Sequence, residues 1–315
     1  MFKFLCSLCV GRLCAKLKGF NLTPIMQPPV SFTVTGETRE TPLEALREIW
    51  RFRALIVELV QRDLKVRYKK RVGGILWSLF APLMQVLTIT LMVKLFLQPI
   101  NNFSAYLMPV MFLWQFFQNT VLDAAQSMVM NAQLARKIYF PRAILPMVTL
   151  ISNLLHFTIS FAFTLFYFLI IPPGDPIYPK LLQLKFLLVF PLILCVGFLA
   201  LGVGYLLSYL STLYDDVRYL STTLLALFFY AVPILYPVEK VYVNQKIYPL
   251  YMLNPMASLM VGFQRAMLPP LAVEGTTPVA FPVFWVGLGM LSSLVILLLG
   301  FLIFERSKWT MMERL

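Results

Sequence analysis

A chain that makes or breaks covalent bonds needs an acid, a base or a nucleophile beside a suitable partner, and this sequence has few candidates. The sole histidine, His156, lies in an apolar stretch with no carboxylate near it in sequence. It suits a packed, hydrogen-bonded imidazole, with a proton relay as the functional alternative. Of four cysteines, Cys6, Cys9 and Cys14 sit near the N-terminus and Cys195 in an apolar run. No nearby histidine or fourth thiol completes a zinc set, so no metal site is expected. Membrane-facing or reduced cytoplasmic thiols account for them. The phosphate loop G-x-x-x-x-G-K-[ST], the zinc motif H-E-x-x-H and the nucleophile elbow G-x-S-x-G are all missing from the sequence. Neither catalytic residues nor a cofactor bound by this chain are therefore expected. Asp123 is the main polar oddity. It stands in a run with Gln115, Gln118 and Asn119 among apolar residues. An ionised carboxylate is costly in hydrocarbon, so it should face the bundle, a subunit interface, a wet cavity or the headgroups. A local structural role and a direct role in transport both remain open for it.

The elements that must hold these residues are membrane helices. Of 315 residues, 59% are hydrophobic and only 13% are charged, against about 25% charged in an average soluble domain. Uncharged runs recur that are long enough to cross a hydrocarbon core of roughly 30 Å as helices. They are too long and too uniformly apolar for barrel strands, and no other backbone arrangement satisfies its polar groups in lipid. Six spans are expected, at about residues 74–96, 106–128, 143–171, 186–210, 220–236 and 279–304. Lys94 can snorkel from the end of the first. Pro172, Pro173, Gly174 and Pro176 mark a turn after the third.

Two regions need separate treatment. Residues 42–73 read as an amphipathic interface helix with a possible bend, because no single helical phase fits throughout. Thr41 can cap it, Pro42 suits the first helical position and Glu44 completes a capping box. Its basic groups, Arg62, Lys65, Arg67, Lys69 and Lys70 with Tyr68 beside them, can lie at lipid phosphates. Residues 247–264 are uncharged, but Pro249, Asn254 and Pro255 break them. Short interfacial or re-entrant helices fit this region better than a seventh span, with Arg265 at its end.

The net charge is +13, and residues 1–71 carry 14 Lys or Arg against 6 Asp or Glu. Anchoring at a cytoplasmic membrane surface accounts for this charge better than nucleic-acid binding does. Basic clusters at 62–71, 136–142 and 306–314 fall on one side only if the number of crossings is even, which places both termini in the cytoplasm. The organisation is then an extension (1–41), the interface region (42–73), a membrane domain (74–304) and a cytoplasmic tail (305–315). Aromatic residues make up 15% of the chain. Trp77, Tyr106, Trp114 and Phe117, near span ends or within the second span, suit either a belt with core packing or a path along which sugar rings stack. Composition does not separate the two.

The motifs narrow this further. QRDLKVRYKKRVGGILWSLFAPLMQVL resembles the opening of type-2 ABC exporter permeases, particularly the branch exporting surface polysaccharides such as O-antigen and teichoic acid. The matching residues are Arg62, Asp63, Lys65, Arg67, Tyr68, Gly74, Trp77 and Pro82. NAQLARKIYFPRAILPM is similar to the family's segment after the second span, through Asn131, Leu134, Lys137, Phe140, Pro141 and Pro146. YDDVRYL resembles the segment between spans four and five, where the family usually has one acidic residue after an Arg. Here Asp215 and Asp216 precede Arg218. LNPMASLMVGFQRAML resembles the outer re-entrant region, through Asn254, Pro255 and Arg265.

The resemblance implies a homodimeric permease in a bacterial or archaeal cytoplasmic (inner) membrane. It also implies two copies of a separate nucleotide-binding ATPase, which holds the ATP and Mg, and a lipid-linked glycan as substrate. Residues 131–142 (with Arg136, Lys137, Phe140, Pro141 and Arg142) and 211–218 would contact that ATPase, Phe140 filling an apolar notch on it. Spans one, two and five would form most of the dimer interface and substrate path. Export of drugs or other lipids is the alternative within the class, and a membrane glycosyltransferase or polymerase the alternative outside it.

Overall fold

The computed structural model describes residues 42–68, 74–96, 103–171, 184–270 and 277–314, which lie within one compact unit, Pro42–Leu315. The extension at 1–41, including the Thr41 cap and three of the cysteines, lies outside the described residues. So do Lys69, Lys70 and the turn at 172–176.

All regular structure among the described residues is helical. The interface region is two helices, α1 (Pro42–Arg51) and α2 (Arg53–Tyr68). They meet at Phe52, whose amide bonds back to Ile49 at 3.1 Å. This break between the two helices is the bend that the sequence allowed within 42–73. Next come α3 (Gly74–Phe96), α4 (Phe103–Met130), the short α5 (Ala132–Lys137) and α6 (Ile144–Ile170). A 3₁₀ turn at Leu184–Leu188 leads into α7 (Val189–Leu213), followed by α8 (Val217–Ala231). The chain then forms α9 (Val238–Tyr242), α10 (Ile247–Met252) and α11 (Pro255–Met267), and closes with α12 (Val283–Arg306) and α13 (Lys308–Arg314).

Among the described residues, three stretches are both long and apolar enough to cross a membrane by length and composition: Ile144–Ile170, Leu184–Leu213 and Val283–Arg306. The protein is an all-α, multi-pass membrane protein. Helix α3 follows the expected first span from end to end. Helix α8 begins earlier than expected and stops before Pro233, because a proline cannot extend the hydrogen-bond ladder. The last long helix starts at Val283 rather than 279, directly after Pro282.

Helices α4 and α7 form the centre. Helix α4 packs along α7, α6 and α3, and α7 packs along α12. Lipid tails are as apolar as the side chains, so helices in a membrane associate through close packing and polar contacts. The α7–α12 contact shows this. A Cβ on Gly202 would stand 2.7 Å from the Ile296 carbonyl carbon, and one on Gly300 would strike the Gly202 carbonyl. The two backbones touch at a place where neither can carry a side chain.

Residues 247–267 break where Asn254 and Pro255 predicted. The Asn254 side chain accepts from the Met256 amide at 3.1 Å, and Pro255 occupies the first turn of α11. From Met256 to Met267 every residue of α11 is buried, against α4, α7 and α12.

Candidate functional site

Polar side chains gather at two ends of α4. Tyr106 and Asp123 are seventeen positions apart, so about 25 Å separates the two groups along the axis.

At the Asp123 end, the last turn of α2 reaches across to α4 and α6. The Arg67 guanidinium donates to Asp123 Oδ2 at 2.9 Å and to Asn153 Oδ1 at 2.8 Å. Asn153 Nδ2 also donates to Asp123 Oδ2, at 2.9 Å, which closes the triangle. One residue on, the Tyr68 hydroxyl lies 2.7 Å from His156 Nδ1. Burial raises the Tyr68 phenol pKa, with Arg67 opposing the shift, so the hydroxyl keeps its proton. Nearer the start of α5, Arg62 bonds Asp63 at 3.0 Å and Asn131 Oδ1 at 2.8 Å. Arg67, expected at lipid phosphates, thus has side-chain partners on α4 and α6, and its side chain is 28% exposed. Sequence placed Arg67, Asp123, Asn153 and His156 in different contexts; the crossing of α2 over α6 brings them together. Lys65 is exposed.

Beside this cluster, α5 leads into an extended turn. Arg136, Lys137, Ile138 and Tyr139 point outward, with Ile138 50% and Tyr139 73% exposed. Phe140 is 4% exposed and packs into the chain's own core with Ile144, Tyr205 and Phe304. This differs from the apolar knob expected for a partner. The backbone is extended after Lys137, and Pro141 then turns the chain into α6, directing Phe140 inward. Pro141 and Arg142 are half-buried, and burial lowers the Arg142 pKa. Tyr205 donates to the Ala143 carbonyl at 3.0 Å, tying this turn to α7. In the other connecting segment Asp215, Asp216 and Arg218 are all exposed, before and within the first turn of α8.

At the Tyr106 end, the polar groups are sealed. The Arg265 guanidinium pairs with Glu239 while both side chains are almost wholly buried, at 2% and 0% exposure. Arg265 also donates to the carbonyls of Val279, at 3.1 Å, and Pro269, at 3.4 Å. Tyr106 donates to Gln264 Oε1 at 2.9 Å, and Gln264 donates to the Pro233 carbonyl at 3.5 Å. One arginine thus joins α9, α11 and the approach to α12. Sequence reasoning missed Glu239. Its only signal was an acid in a short connection between apolar segments, 26 residues from the arginine it meets.

Tyr106, Trp114 and Phe117, offered as path residues, are buried among helices of the same chain. Trp114 packs against Phe117, Phe228 and Phe229, joining α4 to α8. Trp77 lies in α3, and its side chain is outside the described ones. Among the described residues no group of three or more His, Cys, Asp or Glu is arranged to hold a metal ion.

Comparison with known proteins places this geometry. A family model described as ABC-2 type transporter matches residues 54–268. An O-antigen export system permease protein RfbA of Myxococcus xanthus is 27% identical over 224 residues, covering 70% of this chain and 83% of that protein. Two proteins of the same description from Klebsiella pneumoniae are similar. One is 28% identical over 68% of this chain and 80% of its own length, the other 26% over 82% and 94%.

Proposed function

Because the chain belongs to the ABC-2 type transporter family of membrane permeases, we propose that it is the membrane-spanning subunit of an exporter for lipid-linked surface polysaccharide. The observation that carries this reading is the breadth of the likeness to three permeases named for O-antigen export, over 68–82% of this chain. The working unit is a homodimer with two copies of a separate ATPase, which binds ATP and Mg and supplies the energy. The permease itself makes and breaks no covalent bond. It lies in a bacterial or archaeal cytoplasmic membrane.

In this reading α3, α4, α6, α7, α8 and α12 are six crossings, with α1 and α2 at the cytoplasmic surface and both termini in the cytoplasm. Helix α8 is continued by the buried Val232 and Ile234. Helix α11 is re-entrant: thirteen residues rise about 20 Å, short of a roughly 30 Å hydrocarbon core, yet its surface is enclosed by protein. Its broken approach is not enclosed in the same way: Ile247, Leu250 and Leu253 are exposed, which suits the membrane–water interface, where water satisfies irregular backbone. The turn after α5 and the segment before α8 form the ATPase contact, presenting Arg136, Lys137, Ile138 and Tyr139 beside Asp215, Asp216 and Arg218. Phe140 holds that surface from behind, so motion imposed on the turn passes into the packed core of α6, α7 and α12.

The test is reconstitution in vesicles with an ATPase subunit of the same exporter class from the producing cell and that cell's lipid-linked polysaccharide. ATP-dependent movement of the glycan across the bilayer is expected. Export of drugs or small lipids with no glycan movement would overturn the substrate assignment.

A further inference from the structure

Helix α4 is buried almost throughout, apart from one open face. Between Ala105 and Met128 the only half-buried residues are Gln115, Gln118, Asn119, Leu122, Asp123 and Gln126. Their spacing of three and four residues puts them on one side of the helix, about two per turn, and five of the six are polar. The other polar residues of this stretch are treated differently. Thr120 and Ser127 are buried, and each satisfies its hydroxyl on its own helix, through the Phe116 carbonyl at 2.7 Å and the Ala124 carbonyl at 2.8 Å. Groups able to close a local hydrogen bond are turned inward, and the amides are turned to the open face. Gln118 accepts from Trp114 Nε1 at 2.8 Å, and Asp123 is held by Arg67 and Asn153. Gln115, Asn119 and Gln126 have no hydrogen-bond partner among the described residues.

We infer that this face lines the substrate path, and that Gln115, Asn119 and Gln126 hydrogen-bond the hydroxyl groups of a passing glycan. The inference rests on the proposed export function and adds the residues that meet the sugar. Lipid is a poor neighbour for unpaired amides, which in membrane helices face a bundle interior or a water-filled cavity. A second copy of the chain is also a poor neighbour. Amides placed between membrane helices hydrogen-bond across the contact, so a second copy would have to present a matching partner to each of them. Apolar surfaces better suited to that purpose stand exposed on α3, at Leu87 and Leu91, and on α8, at Leu220, Leu224 and Leu227. A carboxamide carries both donors and an acceptor, as a sugar hydroxyl does, so pairing tolerates many orientations of the ring. The three amides are also uncharged. A polymer must be held and released at each step, and sites that bind too strongly do not conduct. Between Asn119 and Gln126 stands Asp123, the only negative charge on the face, and Arg67 takes it up.

Single cysteines test this in the full chain, with Cys6, Cys9, Cys14 and Cys195 replaced and the partner ATPase present. Asn119→Cys and Gln126→Cys should react with a charged, membrane-impermeant thiosulfonate much faster than Leu298→Cys, which lies on an exposed apolar face of α12. Equal rates at rest and during ATP turnover would overturn the inference. Copper-catalysed disulfide formation between subunits at either position, with slow thiosulfonate labelling, would overturn it in favour of a second copy as the occupant. The triple substitution Gln115→Leu, Asn119→Leu, Gln126→Leu should reduce glycan export per ATP hydrolysed by about tenfold or more, a loss of a few weak hydrogen bonds, with ATPase association unchanged. Unchanged export in that variant would overturn the glycan contact. Failure of the unaltered protein to export any glycan would defeat the proposed function instead, whatever the labelling pattern.

Discussion

Replacing Glu239 by Gln removes one charge from a sealed ion pair while keeping the side chain's shape. Arg265 is then a cation with 2% of its side chain exposed and no counter-charge in contact among the described residues. Breaking a buried pair in this way costs about 3–5 kcal/mol. Arg265 keeps the Val279 and Pro269 carbonyls as acceptors, and a glutamine oxygen can still accept, so the low end, about 3 kcal/mol, is expected. That is a roughly hundredfold change in the folded-to-unfolded ratio. At about 2–4 °C per kcal/mol for a chain of this size, the melting midpoint falls by about 6–12 °C. The assay is a tryptophan-fluorescence melt of the purified protein in detergent, with variants compared at one scan rate because membrane proteins often unfold irreversibly. The control is Glu239→Gln combined with Arg265→Met, which removes the stranded charge and should recover most of the loss. A midpoint unchanged by the single substitution, or a double variant no better than the single, would refute the claim that this pair closes the Tyr106 end of the bundle.

Four further outcomes rest on the packing. Gly300→Ala should destabilise the protein by about 1–3 kcal/mol, because the new methyl would strike the Gly202 carbonyl; the same melt reads it. Phe140→Ala should lower stability by about 3–5 kcal/mol, since its ring fills the chain's own core, whereas Tyr139→Ala should leave the melt unchanged and weaken ATPase association in a detergent binding titration. In a double-mutant cycle of Arg67→Met and Asp123→Asn, the coupling should be about 1 kcal/mol, kept small by solvent screening of a half-exposed pair. A fluorophore on α2 should also show a larger change in membrane depth for Arg67→Met than for Lys65→Met.

Sequence alone placed the long apolar helices α6, α7 and α12, because hydropathy is a local sum: a run of apolar residues is able to cross lipid whatever it later packs against. The break before α11 was equally legible, since an asparagine cap and a proline at the first helical turn act within three residues. The bend at Phe52 showed only as the failure of a single helical phase. The direction in which each side chain points was not legible. The same turn exposes Tyr139 and buries Phe140, and the choice depends on Tyr205 and Phe304 from distant helices. Arg67 carries a motif suited to lipid phosphates, yet it bonds Asp123 and Asn153, 56 and 86 residues away, because α2 lies across α6. Glu239 looked like a loop acid until α11 brought Arg265 to it. The amides of α4 were visible as polar residues in an apolar span. Only the packing of α6, α7 and α8 around that helix decided that they share its one open face, because burial belongs to neighbours in space and a linear pattern does not name them.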